Sequence, residues 1–256
     1  ELEDEAGYIA IIKADADDVG RVFSGESFEE CGRKISPAKL EFMSRYIHEV
    51  CEEELRKIVE EEFGGDVVFA GGDDLLAIVR GRDAFRCALR LREAFSKRMY
   101  NRVSMSAGVL IAKSQFPIYV GLLAVDQLLD NAKRREGKNS VDFDVIYQVG
   151  ITPDDLSYDR REQLRREKLT ARPYNWDEFR EFVAIFDELR EEPGKQLRAL
   201  ATILTSGRED RMAAAKSFVK SQMGRGLLSY ERGLRLLKAI DRGMLVDALL
   251  VWRRVM

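Results

Sequence analysis

The feature that most constrains this sequence is a Gly-Gly-Asp-Asp tetrapeptide, Gly71–Asp74, set between two short apolar segments. The segment before it, residues 66–70, is Asp-Val-Val-Phe-Ala, and the segment after it, residues 75–79, is Leu-Leu-Ala-Ile-Val. Two β-prone segments joined by a tight, glycine-containing turn predict a β-hairpin. The fold around this hairpin must therefore accommodate two adjacent carboxylates at the tip.

The segments before and after the hairpin predict a mixed sheet with long helices. An apolar, β-branched run over residues 8–14 predicts a buried strand that ends at Asp15. Ser36 begins a helix whose apolar residues recur at helical spacing until Gly64. The other predicted elements are a helix from Asp83, a strand over 103–112, a helix over 119–135 and a strand over 141–147. The order β-α-β-β-α-β-α-β predicts an α+β fold, a ferredoxin-like palm of the nucleotidyl-cyclase and polymerase type, with helices on one face of an antiparallel-rich sheet.

The chain changes character after Pro153, where strand-like segments give way to helical ones. The predicted helices cover residues 156–168, 177–192, 196–204, 210–223 and 230–256. We therefore expect a palm domain over 1–150 and an all-α C-terminal domain over 151–256, joined by a linker near 148–155. Charge also differs between the halves: the first holds 21 basic and 28 acidic side chains, a balance of −7, and the second holds 21 and 17, a balance of +4.

Composition excludes several classes of protein. Of the 256 residues, 45% are hydrophobic and 34% are charged, which is typical of a globular chain. No apolar run approaches the ~20 residues needed to span a bilayer. The three cysteines are far apart and His48 is the single histidine, so we expect neither a zinc site nor a disulfide framework, and a cytoplasmic location is the default. His48 falls within a predicted helix and is interpreted as an ordinary helix residue, not a ligand.

Three carboxylates are predicted to converge where the first strand meets the hairpin. In a β-α-β-β order these strands commonly lie side by side, which brings Asp15 to Asp73 and Asp74. Carboxylates are ligands for Mg²⁺ or Mn²⁺, and two such ions can activate an attacking hydroxyl and stabilise a leaving oxygen. Gly71 and Gly72 allow positive φ and close approach of phosphates. The aspartates are therefore candidate catalytic residues and metal ligands; the alternative is a plain surface hairpin, since Gly and Asp are common in turns.

A basic segment follows the helix predicted over 119–135. Residues 132–139, Ala-Lys-Arg-Arg-Glu-Gly-Lys-Asn, end this helix and turn towards the last strand. Lys133 and Lys138 are candidates for neutralising the phosphates of a bound nucleoside triphosphate. The alternative is an ordinary helix C-terminus, where basic side chains complement the helix dipole and Gly137 ends the helix.

These segments occur in an order that resembles one known family. The motifs are Asp-Ala-Asp-Asp-Val-Gly at 15–20, Phe-Ala-Gly-Gly-Asp-Asp-Leu-Leu at 69–76, Ser-Ala-Gly-Val at 106–109, Ala-Lys with Gly-Lys-Asn within 132–139, and Arg-Pro-Tyr at 172–174. Over nearly its whole length the sequence is similar to the polymerase-like large subunit of type III CRISPR effector complexes, the Csm/Cmr large subunit. The resemblance implies a metal-dependent nucleotidyltransferase that converts ATP into cyclic oligoadenylate second messengers in antiviral defence, when the complex binds target RNA.

Position by position, the resemblance implies roles for individual residues. The implied metal ligands are Asp15, Asp73 and Asp74, with the backbone carbonyl of Ala16. The implied nucleotide-binding residues are Gly71, Gly72, Lys133, Lys138 and Asp18. Asp17 is expected to face away from the metal ions.

Two departures from the family's pattern bear on its partners. The family's large subunit usually also carries an N-terminal HD nuclease and a first palm without the Gly-Gly-Asp-Asp motif, but one histidine cannot form an HD site and one palm is predicted here. We expect a C-terminal portion of a larger subunit, with a stand-alone relative as the alternative. The implied partners are ATP, the other subunits of a type III CRISPR complex with guide and target RNA, and a second palm, supplied in trans or by a missing N-terminal part; no membrane is implied.

Two other functions stay open. A diguanylate cyclase shares the hairpin, the Ser-x-Gly-Val strand and the basic segment. Against it, Leu75 replaces the aromatic residue that follows its acidic pair, and Phe23 stands where that family commonly places a guanine-reading Asn. A non-catalytic scaffold that binds RNA or partner subunits would instead use the basic helical half. Its candidate phosphate contacts are Arg160, Arg161, Arg165, Arg166, Arg253 and Arg254.

Overall fold

A computed structural model describes residues 2–24, 26, 36–146, 153–190 and 194–255. The chain divides into two compact units, Glu1–Pro153 and Asp154–Met256. Within the described ranges, none of the helices combines the length and the apolar character needed to cross a bilayer.

The described part of the first unit contains five strands in the spatial order β2-β3-β1-β4-β5. Its elements are β1 (Tyr8–Ala16), α1 (Val19–Phe23), α2 (Pro37–Glu49), β2 (Asp66–Gly71), β3 (Asp74–Arg80), α3 (Ala84–Arg98), β4 (Met105–Lys113), α4 (Ile118–Arg134) and β5 (Ser140–Ile146). The central strand β1 pairs antiparallel with both β3 and β4, β2 pairs antiparallel with β3, and β4 pairs parallel with β5. The predicted α+β palm is confirmed, and the predicted order of its elements is the one observed.

The helix α2 begins where the sequence predicts, but its α-helical part ends at Glu49, well before the predicted end at Gly64. The Ser36 hydroxyl accepts a hydrogen bond from the Lys39 N–H at 3.4 Å, and a proline occupies the first turn. Beyond Glu49 the helix continues through two π-helical segments, Val50–Leu55 and Ile58–Glu62. The first of these packs against β2 and β3. This wider helical segment therefore lies directly behind the hairpin.

Helices cover both faces of the sheet, so the expectation that they lie on one face is wrong. Successive residues of a strand point to opposite faces. On β5, Asp142 accepts a hydrogen bond from Asn131 of α4 at 2.8 Å. The next residue, Phe143, packs its ring against Phe85 of α3, with centroids 4.9 Å apart. α4 and α3 are therefore on opposite sides of the sheet.

Gly108 of β4 lets α4 approach the sheet closely. A Cβ added at this position would lie 2.5 Å from the Val125 carbonyl oxygen and 2.6 Å from the Leu129 amide nitrogen. Any larger residue would push α4 away from the sheet, because a backbone clash of this size cannot be relieved by a rotamer change. The position of the C-terminal end of α4 therefore depends on this glycine.

The second unit is helical, and aromatic residues form much of its core. Its elements are a 3₁₀ turn (Pro153–Leu156), α5 (Tyr158–Arg166), a two-residue strand β6 (Tyr174–Asn175), α6 (Trp176–Arg190), α7 (Gly194–Thr205), α8 (Arg211–Gly224), α9 (Tyr230–Asp241) and α10 (Met244–Val255). On α6, the Phe179 and Phe182 rings stack with centroids 5.7 Å apart, and Phe186 follows at 6.3 Å from Phe182. The short strand was not predicted. The predicted linker region falls partly on 147–152, outside the described residues.

The last predicted helix, over 230–256, is wrong as a single element. α9 ends at Asp241, and α10 begins at Met244. Between them Gly243 has φ 75°, a left-handed conformation that glycine adopts readily. A Cβ at Gly243 would also lie 2.9 Å from the Thr170 carbonyl oxygen. The glycine therefore ends one helix and permits close packing at the turn.

A buried polar group, the Asp247 cluster, lies within this helical unit. The Asp247 carboxylate accepts hydrogen bonds from the hydroxyls of Thr170 and Tyr174, each at 2.7 Å, and from the Ala171 N–H at 2.9 Å. The Arg172 Nε lies 3.0 Å from Oδ1, the oxygen that also accepts the Thr170 hydroxyl. Asp247 is 1% exposed. Three hydrogen bonds and a guanidinium therefore compensate this buried charge.

Candidate active site

Strand register brings Asp15 and Asp74 together. Asp15 is the second-last residue of β1, and Asp74 is the first residue of β3; the two are directly opposed in the antiparallel pair. Opposed side chains of such a pair lie on the same face with Cβ atoms about 5 Å apart. Asp73 is in the turn just before β3, where its carbonyl oxygen accepts a hydrogen bond from the Ala16 N–H at 3.2 Å. The structure thus brings the three predicted acidic residues to one edge of the sheet.

The two glycines of the turn have different roles. Gly72 has φ 62°, and a Cβ there would meet nothing within 4 Å, so conformation and not crowding requires glycine. Gly71 closes the β2–β3 pair opposite Asp74, and a Cβ there would lie 3.2 Å from the Phe69 ring. The Gly72 N–H donates a hydrogen bond to Nδ1 of His48 at 3.2 Å. His48 thus holds the turn from α2, a contact that the interpretation of an ordinary helix residue missed.

Burial and the negative charge of Asp15 raise the pKa of both hairpin aspartates. Burial, followed by the charge of Asp15 and a hydrogen bond to it, raises the pKa of Asp74 to about 6. Burial and the Asp15 charge also raise the pKa of Asp73. Behind the hairpin, burial and then the charges of the same aspartates raise the pKa of the Cys51 thiol to about 12. Cys51 therefore stays a neutral core residue, and the site has an excess of negative charge.

Lys133 brings positive charge to this edge. It lies in the last turn of α4, and its Nζ is 2.5 Å from Oδ2 of Asp15. Two residues earlier in β1, and so on the same face, the Nζ of Lys13 lies 2.6 Å from Oδ1 of Asp126. The hydrogen bond to Asp126 raises the pKa of Lys13, and the charges of Asp126, Asp74 and Asp15 raise it further. Lys133, a candidate for binding triphosphate, thus lies at the acidic edge beside Asp15.

Lys138 lies beside Asp18 and not beside the three acidic residues. Its Nζ is 2.6 Å from Oδ1 of Asp18, a residue that itself has φ 60°. The neighbouring Asp17 is 5% exposed and accepts hydrogen bonds from Ser104 and Ser106 hydroxyls at 2.8 and 2.7 Å. Both carboxylate oxygens of Asp17 therefore accept hydrogen bonds from the protein, whereas Asp15 pairs with Lys133.

The donor set suits a divalent ion that is held jointly by protein and nucleotide. Within the described ranges, no group of three or more His, Cys, Asp or Glu side chains is placed to hold a metal ion alone. Asp15 and Asp74 are nevertheless opposed, and their mutual repulsion is the situation that a cation relieves. Mg²⁺ is commonly held by one or two carboxylates together with substrate phosphates. The carboxylates therefore fit such an ion.

One of the six arginines proposed as phosphate contacts on the helical unit is buried. Arg161 is 2% exposed, so it belongs to the interior of its unit. On the surface of α5, Arg160 donates to Gln163 and Arg166 to Glu162. The side chain of Arg254 is outside the described residues. The row of paired arginines is therefore not a uniformly accessible basic strip.

Comparison with known proteins assigns the first unit to a family. The sequence model of the protein family "Cas10/Cmr2, second palm domain" matches residues 8–142, just over half of the chain. The chain belongs to the Cas10/Cmr2 family. The match spans β1, the hairpin, β4 and the start of β5, so it includes the acidic edge and Lys133.

Curated relatives from two archaea agree with this assignment. The chain is 30% identical over 173 residues to the CRISPR system Cmr subunit Cmr2 of Pyrococcus furiosus, covering 59% of this chain and 20% of that protein. It is 30% identical over 150 residues to the single-strand-specific deoxyribonuclease Cas10/Csm1 (subtype III-A) of Thermococcus onnurineus, covering 52% and 18%. The chain spans about a fifth of the length of these relatives. It is thus related to the large subunits of type III CRISPR systems.

Solved structures show the same fold over almost the whole chain. The Csm1–Csm4 cassette in complex with cA4 has a TM-score of 0.58 at 22% identity, covering 97% of this chain and 37% of that one. The same cassette in complex with one ATP has a TM-score of 0.56 at 21% identity, covering 95% and 36%. At this identity the likeness establishes the fold alone.

Proposed function

We propose that this chain is an ATP-dependent nucleotidyltransferase that makes cyclic oligoadenylate second messengers in type III CRISPR antiviral defence. The observation that carries the proposal is the opposition of Asp15 and Asp74 across the β1–β3 pair, with Lys133 on Asp15. Burial and the charge of Asp15 raise the pKa of Asp74, and carboxylates with a raised pKa are typical of catalytic sites. The complexes of relatives with ATP and cA4 support adenine nucleotides over guanine nucleotides as substrates.

Asp15, Asp74 and Asp73, with the backbone carbonyl of Ala16, would hold Mg²⁺ or Mn²⁺. When bound, such ions neutralise phosphate charge and lower the pKa of an attacking hydroxyl. Gly71 and Gly72 would let phosphate oxygens approach the backbone of the turn. At Gly72 there is free space, since an added Cβ would meet no atom within 4 Å. These residues thus provide the acidic half of a phosphate-transfer site.

Lys133 and Lys138 would hold the triphosphate. The Nζ of Lys133 is already at the acidic edge, so its ammonium can contact both a carboxylate and a phosphate oxygen. Asp18 acts in nucleotide binding through Lys138, whose ammonium it orients. In the reaction, the oxygen of a ribose hydroxyl forms a bond to the α-phosphorus. The bond from that phosphorus to the β-bridging oxygen breaks, pyrophosphate leaves with the electron pair, and the hydroxyl proton passes to solvent.

The proposed partners follow from the relatives. Csm1 is solved with Csm4, and a corresponding subunit, the guide and target RNA, and a second palm that faces this one would complete the working enzyme. The second palm would come from another chain or from a further part of a longer subunit. We propose a cytoplasmic location, where such complexes meet foreign nucleic acid.

The test is product formation from labelled ATP. The protein is incubated with ATP and Mg²⁺ or Mn²⁺, alone and with a type III complex and target RNA, with GTP in a parallel series. Replacing Asp73 and Asp74 by Ala should abolish oligoadenylate formation. The matched control replaces Glu60 and Glu61, an exposed acidic pair on the same unit, and should leave it unchanged. Undiminished synthesis by the Asp73/Asp74 variant would contradict the proposal, and a preference for GTP would favour a diguanylate cyclase.

A further inference from the structure

The loop that carries Lys138 has an unfavourable backbone. Gly137, Lys138 and Asn139 have φ values of 77°, 48° and 47°, three consecutive residues in the left-handed region. Glycine adopts this conformation readily, but residues with a Cβ do so only when the surroundings hold them there. In addition, Oδ1 of Asn139 is buried and has no hydrogen-bond partner among the described residues. Something outside the loop must therefore offset these costs.

Asp17 provides the compensating contact. Its Oδ2 accepts the backbone N–H of Asn139, the second of the two strained non-glycine residues, at 3.0 Å. The same oxygen accepts the Ser104 hydroxyl, and Oδ1 accepts the Ser106 hydroxyl. A buried carboxylate with three donors forms strong, charge-assisted hydrogen bonds. The loop is thus anchored to the end of β1 and to the start of β4.

The same anchor connects the two lysine-bearing segments. The Ser140 N–H lies 3.4 Å from the Ser106 hydroxyl that Asp17 orients, and the Ser140 hydroxyl donates to the Ala132 carbonyl at 2.6 Å. Ala132 precedes Lys133 in the last turn of α4. The result is a continuous path from Asp17 through Ser140 to both ends of the basic segment.

We propose that Asp17 is a positioning residue for triphosphate binding, because it holds the Gly137–Asn139 loop in the conformation that presents Lys138. The inference rests on the proposed function, in which Lys138 contacts phosphate. Fixing the loop before the nucleotide arrives removes an ordering cost from binding. Asp17 itself contacts neither metal nor nucleotide in this arrangement.

The test is a double-mutant cycle on ATP affinity, measured by calorimetry with Mg²⁺ on the wild-type chain and on Asp17→Ala, Lys138→Ala and the double variant. Each single variant should bind ATP about tenfold more weakly, the loss expected for one charge-assisted contact. The double variant should bind no more weakly than Lys138→Ala, because both changes remove the same interaction. Losses that simply add would overturn the inference.

Two further variants separate positioning from general stability. Asp17→Asn keeps one oxygen for the Asn139 N–H, so it should recover most of the affinity. If Asp17→Ala does not fold, Asp17→Leu, which is close to aspartate in shape and likewise lacks an acceptor, replaces it in the cycle. Asp142→Asn is the matched control, since Asp142 is equally buried in the same unit but hydrogen-bonds to Asn131; its ATP affinity should equal that of the wild type. Wild-type affinity in Asp17→Ala alongside weak binding by Lys138→Ala overturns this inference alone. If Lys138→Ala binds ATP as tightly as the wild type, Lys138 does not contact phosphate, and the inference about Asp17 is then wrong as well.

Discussion

Asp247 of the helical unit and Asp74 of the palm unit are carboxylates with opposite surroundings. Asp247 is 1% exposed, and two hydroxyls, an amide N–H and a guanidinium surround it. Asp74 is only partly buried, and its nearest charged neighbours, Asp15 and Asp73, carry the same sign. The first carboxylate has its charge fully compensated by the protein, whereas the second does not.

The difference separates a structural acid from a functional one. A buried charge with a complete set of donors stabilises the fold as long as every partner is present. A cluster of like charges at a strand edge is repulsive, and neutral Asn side chains could fill the same positions without that repulsion. The presence of the charges therefore points to a ligand of opposite charge. The comparison predicts opposite signs for the stability change when each carboxylate is removed.

The largest expected effect is at the Asp247 cluster. Asp247→Ala removes a buried carboxylate that accepts three hydrogen bonds and pairs with Arg172, so the helical unit should lose about 3–5 kcal/mol of unfolding free energy. Urea denaturation followed by far-ultraviolet circular dichroism measures the loss. Glu209→Ala, at an exposed position of the same unit, is the control and should change stability by less than about 0.5 kcal/mol. An Asp247 variant as stable as the control would show that the cluster is not structural.

A smaller change of opposite sign is expected at Asp74. The folded-state pKa of about 6 lies above the ordinary aspartate pKa of 3.8, so the folded protein binds the extra proton between these values and its stability falls as pH rises through them. Asp74→Asn removes this loss. Above pH 6 the variant should be more stable than the wild type by up to about 1 kcal/mol, a modest figure because the group is partly exposed and screened.

Thermal unfolding at two pH values measures this effect. Near pH 4 the carboxyl is largely protonated in the folded wild type, and the advantage of Asp74→Asn should largely disappear. Adding Mg²⁺ at pH 8 should also reduce the advantage, because a bound cation relieves the repulsion in the wild type alone. A variant less stable than the wild type at pH 8 would place Asp74 with Asp247 among the structural acids.

How far the sequence predicts each region depends on whether the signal is local. The hairpin could be predicted because glycines and apolar flanks define it within ten residues, and the meeting of Asp15 with Asp74 follows from strand order. The faces of the sheet could not be predicted, since β4 is buried from Met105 to Ala112 and has no polar alternation. The break at Gly243 was missed because α10 continues the apolar helical pattern of α9. The hydrogen bonds from Asn139 to Asp17 and from Gly72 to His48 depend on tertiary packing, which a short sequence motif does not reveal.

The smallest predicted effect concerns His48. Substituting it tests whether the Gly71–Asp74 turn keeps its conformation by itself or needs the contact with α2. Its Nδ1 accepts the Gly72 N–H on an exposed side of the turn, so the bond should contribute about 0.5–1 kcal/mol to fixing the turn. His48→Ala should therefore lower nucleotidyl transfer a few-fold, whereas His48→Asn, whose side-chain oxygen can accept the same N–H, should recover most of the loss. The adjacent exposed Glu49→Ala is the control for changes on α2. Equal rates for all three variants would mean that Gly72 and the Ala16–Asp73 backbone bond fix the acidic edge without help from α2.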